Sequence, residues 1–88
     1  MEIQKGDIVQ SSAGRDKGLY FFVFEISEDF TLLADGDMRK IENPKRKKLK
    51  HLRFYSRPDS KIRQKLESGG QIHNAELRKA IKQLAQQV

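Results

Sequence analysis

The sequence predicts a mainly β protein: a five-stranded, partly open β-barrel covered by one long C-terminal helix. Two observations support this fold class. Five short apolar or β-branched runs, separated by turn residues, occupy positions 7–55 of the 88, which is typical of a small barrel. Apolar side chains in residues 75–88 recur instead at helical spacing. We therefore expect residues 1–57 to form the barrel and residues 58–88 a helical extension packed on it.

Two strands are expected before residue 27. Residues 7–12 form the first, and residues 19–26, LYFFVFEI, form the second, because aromatic and β-branched residues favour strands. Both faces of the second strand are apolar: Tyr20, Phe22, Phe24 and Ile26 lie on one, and Leu19, Phe21 and Val23 on the other. A strand that is apolar on both faces is covered on both. One face is expected to line the barrel, and the other to lie under the C-terminal helix.

Three further strands and two helices complete the predicted order. After a turn at residues 27–29, the third strand spans residues 30–35, and an Asp35-Gly36 hairpin signal leads into a short strand over residues 38–41. The fifth strand spans residues 49–55, with Leu52 pointing inward. Residues 61–67 form a short helix, capped by Asp59 or Ser60 and ended by Gly69-Gly70. Asn74 is expected to cap the last helix, whose apolar stripe is Leu77, Ala80, Ile81, Leu84 and Val88.

The composition argues against several classes of function. There is no cysteine, so disulfides and thiolate metal sites are excluded, and the two histidines are far apart in the sequence. We expect no metal, no cofactor, no small-molecule substrate and no catalytic residue, since no serine has a histidine at a recognisable spacing. No stretch resembles a signal peptide or a membrane span. A cytoplasmic, non-enzymatic protein, monomeric when free, is the expectation.

Charge is concentrated in one central segment. Residues 1–38 carry three basic and eight acidic residues, whereas residues 39–57 carry nine basic residues against Glu42 alone, and residues 58–88 carry six against three. The basic run within that segment contains Lys45, Arg46, Lys47, Lys48, Lys50 and Arg53. A solvated loop or edge-strand lysines are the alternatives, but edge protection needs only one or two charges. The run favours a polyanionic partner, and nucleic acid over a membrane surface because no amphipathic helix accompanies it.

A loop with the sequence AGRDKG, residues 13–18, separates the first two predicted strands. Gly14 and Gly18 permit positive φ angles and close approach of the backbone, which both a tight turn and a loop on a nucleic acid need. Beside the basic segment, the loop is interpreted as a second point of phosphate contact through Arg15 and Lys17. Asp16 would repel a phosphate and is expected to order the loop instead.

The stretch GDIVQSSAGRDKGLYFFVFEI resembles the KOW motif of ribosomal proteins and NusG-type transcription factors. Its continuation, LLADGDMRKIENPKRKKLKHL, resembles the KOW-type large-subunit ribosomal proteins of archaea and eukaryotes, especially the e-type protein number fourteen and its short bacterial relatives. The resemblance covers about residues 5–55. It implies an SH3-like barrel and RNA binding, with Gly14, Gly18, Asp35 and Gly36 as structural loop residues.

Together, the basic run and the resemblance predict a ribosomal-protein-like ribonucleoprotein component in translation that binds structured RNA, with ribosomal RNA foremost. The predicted RNA contacts are Arg15, Lys17, Arg39, Lys40, Lys45, Arg46, Lys47, Lys48, Lys50, His51 and Arg53. Two alternatives stay open. One is an SH3-like module that binds proline-rich peptides, although such grooves need aromatic residues and the chain has no Trp and only two tyrosines. The other is a DNA-binding or transcription-associated KOW domain.

Overall fold

The computed structural model describes residues 2–58 and 61–85. Within this part, one antiparallel sheet contains β1 (Ile8–Ser11), β2 (Tyr20–Ile26), β3 (Phe30–Ala34), β4 (Lys45–Lys48) and β5 (Leu52–Ser56), in the order β4-β3-β2-β1-β5. A 3₁₀ turn at Leu49–His51 joins β4 to β5, and the helices α1 (Lys61–Ser68) and α2 (Asn74–Ala85) follow. The predicted mainly β architecture with a helical C-terminal region is confirmed.

Apolar clusters cover both faces of the sheet. One contains Val9, Phe21, Val23, Leu33 and Leu52, all from strands. The other joins Ile8, Phe22 and Ala34 of the sheet to Ile62 of α1 and Leu77 of α2, with Ala80, Ile81 and Leu84 packed against it. Successive strand residues point to opposite faces, so the continuous apolar run of β2 supplies both clusters. The predictions that helix α2 covers β2 and that Leu52 points inward are therefore confirmed; Val88 lies outside the described residues.

A bulge in β2 corrects one predicted face. The pairing of β2 with β3 shifts register between Val23 and Glu25. An extra residue in one strand reverses the alternation of the residues that follow it. Ile26 therefore packs with the strand-only cluster of Phe21, and its predicted place on the face of Phe22 was wrong.

The fourth strand does not lie at residues 38–41. Oδ1 of Asp35 accepts hydrogen bonds from the backbone N–H groups of Asp37 at 2.9 Å and Arg39 at 2.8 Å, and the carbonyl of Arg39 accepts the N–H of Asp35. This closed loop uses the backbone groups that a hairpin ladder would need. The strand forms only from Lys45, after Pro44.

The ends of the remaining elements are close to prediction. β5 begins at Leu52 because residues 49–51 form the 3₁₀ turn. Gly69, at φ +77°, ends α1, and the N–H of Gly70 donates to the carbonyl of Lys65, as the Gly-Gly pair predicted. The predicted caps Asp59 and Ser60 lie outside the described residues.

Asn74 fastens α2 to the 35–44 loop instead of capping the helix. Its Oδ1 accepts the N–H of Ile41 at 2.8 Å, and its Nδ2 donates to the carboxylate of Glu42 at 2.9 Å. The carboxylate of Glu76 accepts the N–H of His73 at 3.3 Å at the start of the helix. The predicted capping role of Asn74 was therefore wrong, because its side chain is used in a tertiary contact.

Gly36 lets α2 approach this loop closely. A Cβ atom at Gly36 would collide with the backbone carbonyl of Asn74, and the residue has a φ of +79°. The guanidinium of Arg78 donates to the carbonyl of Gly36 at 2.7 Å. The helix and the loop therefore interlock at this glycine, so a side chain there would push them apart.

Asp7 joins three separate parts of the chain. Its fully buried carboxylate accepts hydrogen bonds from the backbone N–H of Gln4 at 2.7 Å, from Nε of Arg57 at 2.9 Å and from a guanidinium nitrogen of Arg63 at 2.8 Å. Burial alone would raise the pKa of Asp7, but the hydrogen bonds from Arg57, Gln4 and Arg63 outweigh it and lower the pKa below its usual value. The end of β5 and helix α1 are therefore tied to the start of β1.

Replacing Asp7 with Asn should lower the free energy of unfolding by about 2 kcal/mol. Removing one partner of a buried ion pair costs about 3–5 kcal/mol, and the two arginines reduce this loss because both are partly exposed. Urea unfolding measures the change. Glu25→Gln is the matched control, since its ion pair with Lys5 is 3.8 Å long and exposed; we expect less than about 0.5 kcal/mol there. Equal losses in the two variants would contradict the role given to Asp7.

Candidate nucleic-acid interface

Asp16 holds the 13–18 loop in place. Its buried Oδ1 accepts the hydroxyl of Ser11 at 2.8 Å and the ammonium of Lys47 at 2.6 Å. The same ammonium donates to the carbonyl of Ala13 at 2.6 Å, and Nζ of Lys45 lies 3.3 Å from Oδ2. The carboxylate therefore links the loop after β1 to two lysines of β4, the strand at the far edge of the sheet.

The pKa of Asp16 reflects these contacts. Burial would raise it, but the hydrogen bonds from Lys47 and Ser11 and the nearby ammonium of Lys45 outweigh burial and lower the pKa to about 2. Asp16 is consequently ionised at neutral pH, and its charge compensates the buried ammonium of Lys47. The predicted role of Asp16 in ordering the loop matches this geometry.

The basic run does not form one surface, because alternation along β4 divides it. Lys45 and Lys47 point towards the 13–18 loop, whereas Arg46 and Lys48 are exposed. The side chain of Lys47 is only 8% exposed, and its ammonium donates to Asp16 and to the carbonyl of Ala13. We therefore do not include Lys47 in the candidate interface. The sequence of β4, KRKK, contains no apolar residue, so it could not indicate which side chains point towards the loop and which point to solvent.

The outward residues of β4 fit the edge-protection alternative. β4 is the last strand in the sheet order within the described residues, and charged side chains on an edge strand discourage pairing with another chain. The guanidinium of Arg46 lies 4.1 Å from the centroid of the Phe30 ring, a cation–π contact. Arg46 and Lys48 are thus accounted for without a ligand.

Basic residues from distant parts of the chain meet around the 13–18 loop. Arg15, Arg39 and Lys45 line one shallow depression of about 350 Å³, and Lys17 and Arg53 line a second. We call these five residues the cationic rim. Among the described residues, no carboxylate lies within salt-bridge distance of Arg15, Lys17, Arg39 or Arg53; Lys45 alone of the rim is shared with Asp16. Apart from Lys45, the residues of the cationic rim therefore carry charges that are available to a ligand.

The other predicted contacts lie elsewhere. Lys40 is exposed in the 35–44 loop. Lys48 and Lys50 line a depression together with Glu28 and Asp29, so their charges have acidic neighbours. His51 is half-buried in the 3₁₀ turn, and its carbonyl accepts the N–H of Ser12 at 2.9 Å.

The predicted loop glycines adopt the backbone that only glycine takes readily. Gly14 has a φ of +84° and Gly18 a φ of +91°. These angles turn the chain back into β2, and the N–H of Gly18 donates to the carbonyl of Ser11 at 2.8 Å. The two glycines shape the loop that carries Arg15 and Lys17.

Comparison with known proteins assigns no family. No protein-family model matches the chain, and no curated protein matches it significantly. The KOW resemblance therefore stays a prediction, and functional inference depends on the geometry. In residues 2–58 and 61–85, no group of three or more histidine, aspartate or glutamate side chains is placed to hold a metal ion. None of the described helices is long and apolar enough to cross a membrane.

Replacing Lys47 with Ala should destabilise the fold, whereas Lys48→Ala should not. The first change leaves the buried carboxylate of Asp16 with Lys45 as its one remaining cation, and we expect a loss of about 2–3 kcal/mol in the free energy of unfolding. The second removes an exposed side chain and should change it by less than about 0.5 kcal/mol. Chemical denaturation distinguishes them. Equal stability of the two variants would show that Lys47 is an ordinary surface lysine.

Acid should weaken the fold through Asp16. The folded pKa of about 2 lies below the unfolded value of about 3.9. The stabilisation is therefore complete above about pH 5 and is lost as the pH falls towards 2. Unfolding of the parent protein and of Asp16→Asn, measured from pH 6 to pH 2, should show their difference in free energy shrinking by about 2 kcal/mol. A difference that is independent of pH would contradict this assignment.

Proposed function

We propose that this protein is a non-catalytic, ribosomal-protein-like RNA-binding protein that contacts the phosphates of structured RNA through the cationic rim. The observation that carries the proposal is the convergence of Arg15, Lys17, Arg39 and Arg53, exposed or half-exposed and without carboxylate partners among the described residues, around one ordered loop. Lys and Arg side chains that neutralise phosphates and release counterions supply most of the affinity of such an interface. Because internal hydrogen bonds already hold the loop, little ordering is needed on binding.

The strand connection supports an SH3-like, partly open barrel. β4 and β5 are the two edges of the strand order, yet only three residues separate Lys48 from Leu52. In a flat sheet these edges would lie about 19 Å apart, while four residue steps span at most about 14 Å even when fully extended. The edges must therefore curl towards each other. The ion pair of Asp16 with Lys47 ties the loop after β1, the neighbour of β5, to the opposite edge strand β4.

The geometry changes which residues we expect to bind RNA. The sequence predicted only a second point of phosphate contact at Arg15 and Lys17. We now expect both to be central to RNA binding, because the loop places them on the cationic rim. Lys47 is no longer expected to contact RNA, and Lys45 contributes only part of its charge to binding because it also faces Asp16. Ribosomal RNA is the first candidate among structured RNAs, and that choice depends on the KOW resemblance alone.

Peptide binding in the manner of SH3-like modules is less favoured. The only two tyrosines, Tyr20 and Tyr55, pack edge to face with ring centroids 4.7 Å apart. Both belong to the apolar cluster under the helices, so they do not supply the exposed aromatic lining of such a groove. DNA presents the same phosphates as RNA, and direct competition must separate the two.

Binding to a structured RNA should weaken steeply as salt is added. About five phosphate contacts predict a slope of about −4.5 in log K against log salt, or a few hundred-fold between 50 and 200 mM. Replacing Arg15, Lys17 and Arg53 with Ala should bring the slope to about −2 and weaken binding to different RNA sequences alike. Fluorescence anisotropy measures both effects, with a DNA duplex of the same sequence as competitor.

The matched control removes the same charge from the helices. Lys61, Lys79 and Lys82 are exposed on α1 and α2, and their replacement with Ala lowers the net charge equally. If the rim is the interface, this control keeps most of the parent slope. Equal slopes for the rim and helix variants would mean that net charge alone drives association. A salt-independent affinity, or no binding at all, would overturn the proposal.

A further inference from the structure

Two apolar side chains are exposed beside the rim, in one depression. Among the described residues, Leu19 and Met38 are the large hydrophobic side chains that stay exposed, at 38% and 74%. Both line the depression that also contains Arg15 and Arg39. Residues so far apart in sequence reach one depression because it lies between the 13–18 loop and the 35–44 loop. Exposed apolar surface ringed by cations indicates a ligand with both apolar and anionic parts.

Both walls of the depression are held by internal contacts. The N–H of Leu19 donates to the carbonyl of Asp16 at 2.9 Å, and Asp16 is itself fixed by Lys47. On the other wall, Oδ1 of Asp35 accepts the N–H of Arg39 at 2.8 Å. The backbone around the depression is thus formed before any ligand arrives, while the unbranched side chain of Met38 can adapt to a ligand.

We propose that this depression takes one unpaired nucleotide of the RNA, with its base against Met38 and Leu19 and its flanking phosphates on Arg15 and Arg39. The inference rests on the proposed RNA binding and names the substrate class of the same site: RNA with a bulged or looped-out base, in preference to a continuous duplex. A nucleotide joins a flat π surface to an anion within one residue, which matches the pairing of apolar and cationic groups here. Thioethers make favourable contacts with aromatic rings, and guanidinium planes stack on bases.

A continuous duplex cannot fill this site, because its bases are stacked inside the helix and present only their edges, so no flat base surface reaches Met38 and Leu19. An acidic peptide would have to bring separate apolar and acidic side chains to the right spacing. Three cationic side chains, with Asp16 paired to Lys47, surround three apolar ones, of which Leu19 and Met38 are exposed. This arrangement favours a ligand that carries a phosphate on each side of its base. The site therefore discriminates by RNA structure and not by base sequence.

Three RNAs of equal length test the inference: a blunt duplex, the same duplex with one bulged adenosine, and the same duplex with an abasic nucleotide at the bulge. The abasic RNA keeps the phosphates and flexibility of the bulge and lacks only the base. At fixed low salt, the protein should bind the adenosine bulge about fivefold more tightly than the abasic bulge, at the low end of the range known for stacked bases. Met38→Ala should abolish this preference, and Met38→Leu, which keeps an apolar side chain, should retain most of it.

Each other outcome overturns the inference. Equal binding of all three RNAs with a steep salt dependence would overturn it and leave the proposed function intact, whereas failure to bind any of them would overturn both. A preference for the adenosine bulge that survives Met38→Ala would place the base elsewhere. Displacement of the bulged RNA by an acidic, leucine-containing peptide, lost in Met38→Ala, would assign the depression to a protein partner.

Discussion

The buried ion pair of Asp16 and Lys47 is the contact on which the rest of the site depends. It joins the loop after β1 to the far edge strand β4, with the two groups 2.6 Å apart and both buried. Desolvation opposes such a pair, so its contribution to stability is small compared with the loss when one partner is removed. Its effect is geometric. It orients the loop that carries Arg15 and Lys17, brings Lys45 alongside, and holds this loop against the edge strand β4.

Asp7 anchors the start of β1 in the same way that Asp16 anchors the loop after the end of this strand. One carboxylate precedes the strand and the other follows it, and each binds basic groups supplied by distant segments: Arg57 and Arg63 for Asp7, Lys45 and Lys47 for Asp16. A chain of 88 residues buries only a modest core. Two charged anchors, one before β1 and one in the loop after it, therefore add to apolar packing in setting the relative positions of loop, edge strand and helix.

The sequence was informative where burial acts on a local pattern. Apolar residues on both faces predicted that β2 is covered on both sides, and helical spacing predicted the α2 stripe. It failed where a polar side chain had more than one possible hydrogen-bond partner. Asp35 closes its own loop in place of a hairpin, and Asn74 binds Ile41 and Glu42 in place of a cap. Each alternative uses a residue type that suits both roles, so sequence spacing alone could not separate them.

The charges of the candidate site show the same limit of prediction from sequence. Residues 39–57 carry a formal net charge of +8, yet three of their basic side chains, Lys45, Lys47 and Arg57, are ion-paired with aspartates of the acidic first half. The asymmetry between the two halves therefore serves the fold as well as any partner. Paired charges inside the protein are screened by salt much less than exposed ones. Rising ionic strength should consequently weaken ligand binding at the cationic rim well before it weakens the ion pairs of Asp7 and Asp16. This difference separates the basic side chains of residues 39–57 that serve binding from those that serve the fold.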